Sequence, residues 1–349
     1  MSIGKKLPKS LLLIGNHLSN SNLNPTVIEE LGKKLEEFGW GVISSSQQKK
    51  KIFRFLDMLL TTLIKKNSYQ LGLIEVYSGL AFIWAFSCGL LLKSIKKPFV
   101  LVLHGGNLPQ FSQKYSFLVH KLLGWAQKVF SPSHYLKENF QNFRQDIEII
   151  PNPIDINKYQ FKVRNSVTPK LIWLRAFHQI YNPCLVPELI VLLRNKFPET
   201  RVWMIGPDKG DGSLQALVSL AENLSVFQLI TIIPGITKDQ VPTYLNHGDI
   251  FINTTNYDNT PVSVIEAMAS GLCVVSTNVG GIPYLLENEV DALLVPPDDP
   301  HSMATAIQRI INDPGLATRL SSNARKKAEQ FDWSIILPRW EKEFANILN

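Results

Sequence analysis

Short apolar runs and longer stretches with helical spacing alternate along almost the whole chain. Leu11–Gly15, Phe99–Leu103 and Arg201–Ile205 have the length and composition of buried strands, and each precedes a polar loop and a helix-like stretch. Parallel strands need long crossover connections, which are usually helices. The pattern therefore predicts an α/β protein with parallel sheets.

The 349 residues are enough for two domains with buried cores. Residues 157–168 are polar and basic and lack periodicity, so we expect them to link a domain at 1–156 to a second domain at 169–332. From about residue 333 to residue 349, Trp333 and Trp340 stand among apolar residues at helical spacing. This last stretch is predicted to be a helix.

The run Leu71–Leu92 is long enough to span a membrane and has lysines at both ends. However, Glu75 interrupts the run and Ser78-Gly79 divides it. A buried strand over Leu71–Tyr77 and a helix over Leu80–Ile95 fit the alternation better than a transmembrane segment.

Residues 249–285 carry the densest candidate chemistry. Strand, polar loop and helix follow each other twice here, so two helix N-termini should lie side by side at the carboxyl ends of neighbouring strands. Thr260 offers an N-cap oxygen, and Pro261 suits the first helical position. Such N-termini attract phosphate by ~0.3–1 kcal/mol per favourable charge at exposed sites.

Two carboxylates belong to this stretch, Asp258 in the first loop and Glu266 in the helix that follows. Glu266 has apolar neighbours, so we expect it to be partly buried and to need hydrogen-bond donors. The paired hydroxyls of a sugar or ribose are suitable donors. A structural cap or ion pair for Glu266, with ordinary turn chemistry for Asp258, explains the two residues equally well.

His104, followed by Gly105-Gly106, stands directly after a predicted strand. A lone histidine is usually structural. Glycines at the carboxyl end of a strand allow the backbone to approach a ligand closely, which makes His104 a candidate for a binding site.

The charge is distributed unevenly. Residues 1–160 contain 20 Lys and Arg against 10 Asp and Glu, whereas residues 161–349 contain 16 against 19. The basic half suggests an anionic membrane surface or a phosphorylated acceptor, although a plain solvated surface gives the same counts. No recognition motif for nucleic acid is present, so we expect no nucleic-acid partner. The three cysteines lie far apart in apolar segments, as in proteins of a reducing compartment.

The chain resembles the retaining glycosyltransferases of family 4, which have the two-domain GT-B architecture. The most specific feature is the pair Asp258 and Glu266, with seven residues between them, followed by Ala267-Met268-Ala269 and Gly271. Further matches, in the family's order, are Gly280-Gly281-Ile282-Pro283 and Val295-Pro296-Pro297-Asp298, and weaker ones are His104-Gly105-Gly106, Ser131–Ser133, Pro151–Asp155 and Arg175.

The resemblance implies two doubly wound parallel-sheet domains that face each other across a cleft, with the acceptor on the side of the first domain. The terminal helix would cross back and pack on the first domain. An amphipathic membrane helix is the competing interpretation, and Glu341 and Glu343 make it less suited to an anionic surface.

The resemblance also implies a role for each site residue. Glu266 would hold the ribose hydroxyls of a nucleotide sugar, Asp258 would face the donor sugar, and Arg175 would neutralise the diphosphate. The remaining positions are the backbone of Thr260, Pro261 and Val262 on sugar or phosphate, Gly280 and Gly281 at the second helix start, Gly15 beside the diphosphate, His104 near the anomeric centre, and Ile236 beside the base.

Three positions depart from the family's usual residues. Asp258 replaces a glutamate, Ile180 stands where a lysine is usual, and Gly15-Asn16 replaces a double glycine. A second counter-charge for the diphosphate would then come from elsewhere, such as His178.

We therefore expect metal-independent transfer, with retention, of a hexose from a nucleoside diphosphate sugar to a glycan or lipid-linked acceptor. We expect UDP as the nucleotide because members of the family commonly use it. The nucleotide sugar is a co-substrate, and we expect no cofactor. The alternatives are a catalytically silent nucleotide-sugar-binding partner subunit and, less favoured, a GT-B sugar-nucleotide epimerase. The expected location is the cytoplasm, including peripheral contact with the anionic inner face of the membrane, because no signal peptide is apparent.

Overall fold

The computed structural model describes residues 9–17 and 25–348, which form two compact units. The first unit takes the chain up to Asn152 and again from Ser334, and the second takes Pro153–Trp333. Each unit is built on a six-stranded sheet in which all neighbouring strands are parallel, so the predicted α/β class is confirmed. Residues 1–8 and 18–24 of the predicted first domain, and residue 349 of the predicted terminal helix, lie outside the described residues.

The first sheet has the strand order β2-β1-β3-β4-β5-β6. Its strands are β1 (Ser10–Ile14), β2 (Gly41–Ser45), β3 (Leu71–Val76), β4 (Phe99–Leu103), β5 (Lys128–Ser131) and β6 (Glu148–Ile149). The helices between them are α1 (Val27–Glu37), α2 (Lys51–Ile64), α3 (Leu80–Ser94), α4 (Leu108–Lys114), α5 (Ser116–Trp125) and α6 (His134–Phe140). The order reverses between β1 and β3, and ligands of open α/β sheets bind at the carboxyl ends of strands at such a switch point.

Both faces of this sheet are covered. Leu12 and Ile14 pack into a core shared with α2, α3, α5 and α6, whereas Leu13 on the opposite face reaches Gly32 of α1. Burial on both faces explains why the strands are apolar at nearly every position.

The run Leu71–Leu92 is divided as predicted, with β3 before the break and α3 after it. In the part of the chain that the structure describes, no helix is both long and apolar enough to cross a membrane.

The second sheet has the strand order β12-β11-β10-β7-β8-β9. Its strands are β7 (Lys170–Leu174), β8 (Arg201–Ile205), β9 (Ile230–Ile233), β10 (Ile250–Asn253), β11 (Cys273–Thr277) and β12 (Leu293–Val295). The helices are α7 (Leu185–Arg194), α8 (Ser213–Asn223), α9 (Val241–Leu245), α10 (Val262–Ala269), α11 (Ile282–Leu285), α12 (Pro300–Asn312) and α13 (Pro314–Ala328). Here the order reverses between β7 and β10, so the loops after these two strands flank the switch point.

The last helix, α14 (Trp333–Leu348), packs on the first unit. The ring of Trp340 meets that of Phe130 edge to face at 4.8 Å between centroids. Glu341 accepts a hydrogen bond from the indole of Trp40 at 3.1 Å, and Glu343 pairs with Lys128. The two acidic residues of this helix therefore have partners within the first unit.

Residues 157–168 lie within the second unit. Arg164 is 1% exposed, and its guanidinium donates to the carbonyls of Ser270 and Gly248 at 2.9 and 3.0 Å and approaches Asp249 at 3.3 Å. The sequence placed Arg164 in a linker. In the structure its side chain is buried and anchors the loop between α10 and β11 and the start of β10.

Replacing this anchor should destabilise the second unit. We expect Arg164→Met to lower the free energy of unfolding by about 3 kcal/mol, because the guanidinium is one member of a buried ion pair and its carbonyl acceptors would lose their donor. Urea unfolding measures the loss, and Arg201→Met on the exposed start of β8 is the matched control. Equal midpoints for the two variants would contradict the anchoring role.

Candidate functional site

The residues singled out in the second half of the sequence meet at the switch point of the second sheet. Arg175 is the first residue after β7, and Asp258 lies in the loop after β10. The two strands are neighbours in register, with Leu171 opposite Ile250. Since parallel strands end at the same edge, the two loops lie side by side.

Arg175 is buried among groups that compensate its charge. Its guanidinium pairs with the Asp258 carboxylate, lies 4.7 Å from the centre of the Tyr181 ring, and approaches the Asn253 side-chain oxygen at 3.4 Å. Burial lowers the pKa of Arg175 to about 10, and the charges of Tyr181 and Glu266 oppose that shift. The guanidinium therefore stays protonated at neutral pH.

The backbone around Arg175 is fixed by β8. Its amide donates to the carbonyl of Ile205 at 2.9 Å. Gly206 has φ +149°, and a Cβ there would lie 1.8 Å from the Arg175 carbonyl oxygen. Only glycine allows this approach, so the loop after β8 holds the arginine from the side opposite to Asp258's strand.

Gly280 and Gly281 hold the loop that carries Asp258. The Gly281 amide donates to the Asp258 carbonyl at 3.0 Å. A Cβ on Gly280 would lie 2.3 Å from the same oxygen, and one on Gly281 would lie 2.0 Å from the carbonyl oxygen of Asn259. These glycines therefore permit two loops to touch, and the Gly281 amide already has an acceptor in the protein.

The start of α10 differs from the prediction. Pro261 is the N-cap residue and Val262 is the first helical residue, so the N-cap assigned to Thr260 is wrong. The side chain of Pro261 accepts no hydrogen bond from the helix. The chain turns into the helix one residue later than expected because Pro261 has an extended conformation, with φ −69° and ψ 117°. The helix nevertheless begins beside Asp258, and the amides of Val262 and Ser263 stand in its first turn, where no intrahelical acceptor exists.

Among the residues that the structure describes, two buried side-chain oxygens of this segment have neither a hydrogen-bond partner nor an ion pair. They are Oδ1 of Asn256 in the loop and Oγ of Ser263 in the first turn of α10. Buried polar atoms are nearly always satisfied, so a ligand or water is expected to complete them.

Glu266 is 5% exposed, and its α10 neighbours Ile265 and Ala267 belong to an apolar core. The hydroxyl of Tyr159 donates to Glu266 Oε1 at 2.8 Å. The donor that the buried carboxylate needs is thus supplied in part by a residue that sequence reasoning missed. Its only sequence signal is an aromatic residue within a polar stretch.

Two other expected contributors, Ile236 and His178, lie in the loops after β9 and β7. Ile236 follows β9 at the same edge of the sheet, but β7 and β8 separate β9 from β10. His178 accepts a hydrogen bond from the amide of Ile180 at its Nδ1, at 3.1 Å, while its Nε2 faces Asp211 at 3.7 Å. His178 is therefore engaged within its own loop.

The switch point of the first sheet brings together Gly15, Glu75, Tyr77 and His104. Glu75 lies near the end of β3, and its Oε1 is 3.4 Å from His104 Nε2. The His104 ring stacks on Tyr77 with centroids 5.0 Å apart, and the Tyr77 hydroxyl lies 3.4 Å from Glu75. The sequence identified His104 and Gly15, but Glu75 stood out only as an interruption of an apolar run.

Gly15 makes room for this carboxylate. A Cβ on Gly15 would lie 2.4 Å from Glu75 Oε2. Burial raises the pKa of Glu75 to about 8 and lowers the pKa of His104 to about 4. Near neutral pH the pair is therefore a protonated carboxyl beside a neutral imidazole. A small cavity opens next to it, lined by Gly15, Met58, Glu75, Tyr77 and Trp84 among others.

Two family descriptions match this chain in consecutive stretches. Residues 26–158 match "Glycosyltransferase Family 4", and residues 157–327 match "Glycosyl transferases group 1". The two matches meet at residues 157 and 158. This is shortly after Asn152, the last residue before the chain passes from the first unit into the second.

Among curated proteins, the chain is similar to D-inositol 3-phosphate glycosyltransferases. The protein of this name from Rhodococcus jostii is 28% identical over 200 residues, which are 54% of this chain and 44% of the relative. The one from Streptomyces bingchenggensis is 30% identical over 157 residues, 43% of this chain and 34% of the relative. The matched part is thus less than half the length of these relatives.

Solved structures resemble nearly the whole chain. Sucrose-phosphate synthase from Thermosynechococcus elongatus has a TM-score of 0.80 at 16% identity, covering 97% of this chain and 99% of that one. Anabaena HepE in complex with UDP and glucose has a TM-score of 0.75 at 16% identity, covering 97% and 100%. At these identities the likeness is one of fold. The two family matches together span residues 26–327, so the chain belongs to the family 4 glycosyltransferases, and the solved structures show that it has the GT-B fold.

Proposed function

We propose that this chain transfers a hexose-type sugar, with retention and without a metal, from a UDP-sugar to a glycan or lipid-linked acceptor. The observation that carries the proposal is the convergence of Arg175, Asp258 and Glu266 at the switch point of the second sheet. The glycosyltransferase names of the curated relatives support it, as does the structure of Anabaena HepE in complex with UDP-glucose.

The proposed chemistry follows from the charge at the site. Breaking a glycosyl–phosphate bond leaves negative charge on the diphosphate, and preorganised donors stabilise it best where water is excluded. Arg175 supplies a cation whose side chain is only 12% exposed, and the first turn of α10 supplies the amides of Val262 and Ser263. A guanidinium has five N–H donors, so it can bind the diphosphate while Asp258 still orients it.

Glu266 takes the nucleoside end in this proposal. An ionised carboxylate has about four acceptor positions, and the Tyr159 hydroxyl occupies one of them. In this proposal the same carboxylate also accepts hydrogen bonds from the ribose hydroxyls. For retention, the acceptor attacks on the face of the leaving group and a phosphate oxygen takes the proton, so no protein nucleophile is assigned. The assignment of His104 to the donor sugar stays a prediction.

A second candidate is a nucleotide-sugar-binding subunit without catalytic activity. The pair between Arg175 and Asp258 favours it, because Asp258 competes with a diphosphate for the same cation and Ile180 supplies no second charge. This candidate predicts saturable donor binding with no turnover for any acceptor offered.

A panel of nucleotide sugars separates the two candidates. A ligand that binds only the folded protein raises the free energy of unfolding by mass action, by about 2.7 kcal/mol when its concentration is a hundred times Kd. The melting temperature rises as a result. We expect a shift with at least one UDP-sugar, followed by release of UDP on incubation. A shift without UDP release supports the silent binder, and no shift with any donor overturns both.

Removing the charge of Glu266 should weaken donor binding selectively. Glu266→Gln keeps the shape but replaces a charged acceptor with a neutral amide, so we expect Kd for the donor to rise about 10–100-fold. Isothermal titration measures Kd, and the exposed Glu222→Gln is the control. Unchanged donor affinity in a folded Glu266→Gln protein removes Glu266 from the nucleoside site.

The contact between the loop that contains Asp258 and the loop that contains Gly281 can be tested by replacing Gly281 with alanine. We expect Gly281→Ala to displace the loop of Asp258, since its Cβ would overlap the carbonyl of Asn259, and to lower kcat/KM by at least about tenfold. The control is Gly124→Ala, because a Cβ at Gly124 meets nothing within 4 Å. Equal kcat/KM for both variants would contradict the proposed loop contact.

The Glu75–His104 pair predicts a pH dependence of stability. Glu75 has a raised pKa of about 8 against 4.5 ordinarily, so the folded protein holds a proton that the unfolded chain releases, and stability falls as pH rises from about 5 to 8. His104, with its lowered pKa of about 4 against 6.5, acts oppositely but only below pH 6.5. Between pH 6.5 and 8 the wild type should therefore lose stability, measured as the urea midpoint, and Glu75→Gln should lose less. The exposed Glu37→Gln is the control, and an identical decline in all three proteins would show that Glu75 does not titrate in this range.

A further inference from the structure

The helix α2 presents a continuous apolar stripe to solvent. Only Met58 and Thr62 of this helix are fully buried. Six large apolar side chains are between 41% and 73% exposed: Ile52, Phe53, Leu56, Leu60, Leu63 and Ile64. Their spacing, at steps of three and four residues, places them on one face of the helix, opposite the face that packs on the sheet.

Neighbouring helices extend this stripe. On α3, which packs beside α2, Leu80, Ile83 and Leu90 are 46–65% exposed and recur at helical spacing. On α5, which packs beside α3, Phe117 is 66% exposed. We call these residues of α2, α3 and α5 the apolar patch. Contiguous exposed apolar surface of this extent is uncommon on a monomeric protein and marks an interaction site.

The patch stands in a strongly basic stretch of chain. Residues 49–121 contain eleven Lys and Arg but only two acidic residues, of which Glu75 is buried and Asp57 lies on α2. Lys49, Lys50 and Lys51 precede the stripe on α2, and Lys65 and Lys66 follow it, all of them exposed. On α5, the ammonium of Lys121 lies 4.3 Å from the centre of the Phe117 ring.

We propose that the apolar patch and its lysines dock this protein on an anionic lipid bilayer. Apolar side chains that enter the headgroup boundary, with basic side chains around them, are the combination that such a surface binds. A second copy of the chain would satisfy the apolar side chains but would bring two strongly positive faces together, so charge favours the bilayer. The proposal does not depend on the transfer reaction.

The position of the patch also relates it to the first switch point. Met58 of α2 and Trp84 of α3 line the small cavity beside Glu75 and Gly15. The same two helices thus present apolar side chains to solvent on one side and to this cavity on the other. A bilayer at the patch would hold a lipid-linked molecule close to that cavity.

Vesicle sedimentation tests the docking directly, with vesicles of phosphatidylcholine alone and of phosphatidylcholine mixed with phosphatidylglycerol. We expect the protein to sediment with the mixed vesicles only, and binding to weaken as salt rises. Replacing Lys49, Lys50 and Lys51 by Gln should weaken partitioning on the order of 100-fold, as expected for three basic residues at an anionic surface. Ile52→Ser with Ile64→Ser should weaken it at least about tenfold through lost apolar burial.

Matched controls come from the second unit. Replacement of Lys170, Lys196 and Lys326 by Gln removes the same charge from exposed positions, and Phe227→Ser with Val290→Ser removes exposed apolar side chains. Both control proteins should bind mixed vesicles as the wild type does. All variants should keep the wild-type melting temperature and the wild-type thermal response to nucleotide sugars, which separates this result from any failure of the proposed function.

Three outcomes overturn the proposal. They are no sedimentation of wild-type protein with mixed vesicles at low salt, equal binding by the patch variants and the wild type, and a dimer in solution that dissociates on Ile52→Ser with Ile64→Ser. The last result would assign the patch to a second copy of the chain.

Discussion

The site in the second unit depends on the guanidinium of Arg175, a positive charge that is largely shielded from water. Transferring a guanidinium into a protein interior is costly unless anions, dipoles or aromatic faces surround it. Arg175 has all three, in the carboxylate of Asp258, the amide of Asn253 and the ring of Tyr181. The charge can therefore persist at the edge of the sheet, where an anionic ligand would find it already desolvated and held in position.

The glycines near this charge follow from the same constraint. Asp258 reaches Arg175 only if the loop after β10 is held, and the backbone of Gly280 and Gly281 supports that loop by close approach. Gly206 allows an equally close approach to the backbone of Arg175 itself. The sequence placed Gly280 and Gly281 at the start of a second helix, and the structure shows that these two glycines and Gly206 permit close contacts between loops.

Each unit carries a buried carboxylate at its switch point, and the surroundings give the two different properties. Glu266 receives a hydrogen bond from Tyr159 and lies near enough to Arg175 for its charge to favour the protonated guanidinium. Burial keeps the imidazole of His104, which lies beside Glu75, neutral, and burial also raises the pKa of Glu75. In the proposed function the first of these carboxylates serves a site for an anion and a nucleoside, whereas Glu75 holds a proton at neutral pH.

The sequence predicted what depends on local pattern. The alternation of strands and helices and the division of Leu71–Leu92 follow from apolar runs, helical spacing and turn residues. It could not predict contacts between residues distant along the chain. The hydrogen bond from Tyr159 to Glu266 joins residues 107 positions apart, and the anchoring of Arg164 depends on Gly248 and Ser270, so neither leaves a local signal. The N-cap was misplaced at Thr260 because proline is common both at the first helical position and in extended backbone, so the residue type did not show which conformation Pro261 adopts.

A crystal structure of the protein soaked with a UDP-sugar tests the central claim most directly. The account predicts the diphosphate against the Arg175 guanidinium and the first turn of α10, with the ribose hydroxyls on Glu266. A diphosphate bound elsewhere, with the pair between Arg175 and Asp258 undisturbed and no ribose hydroxyl on Glu266, would contradict it.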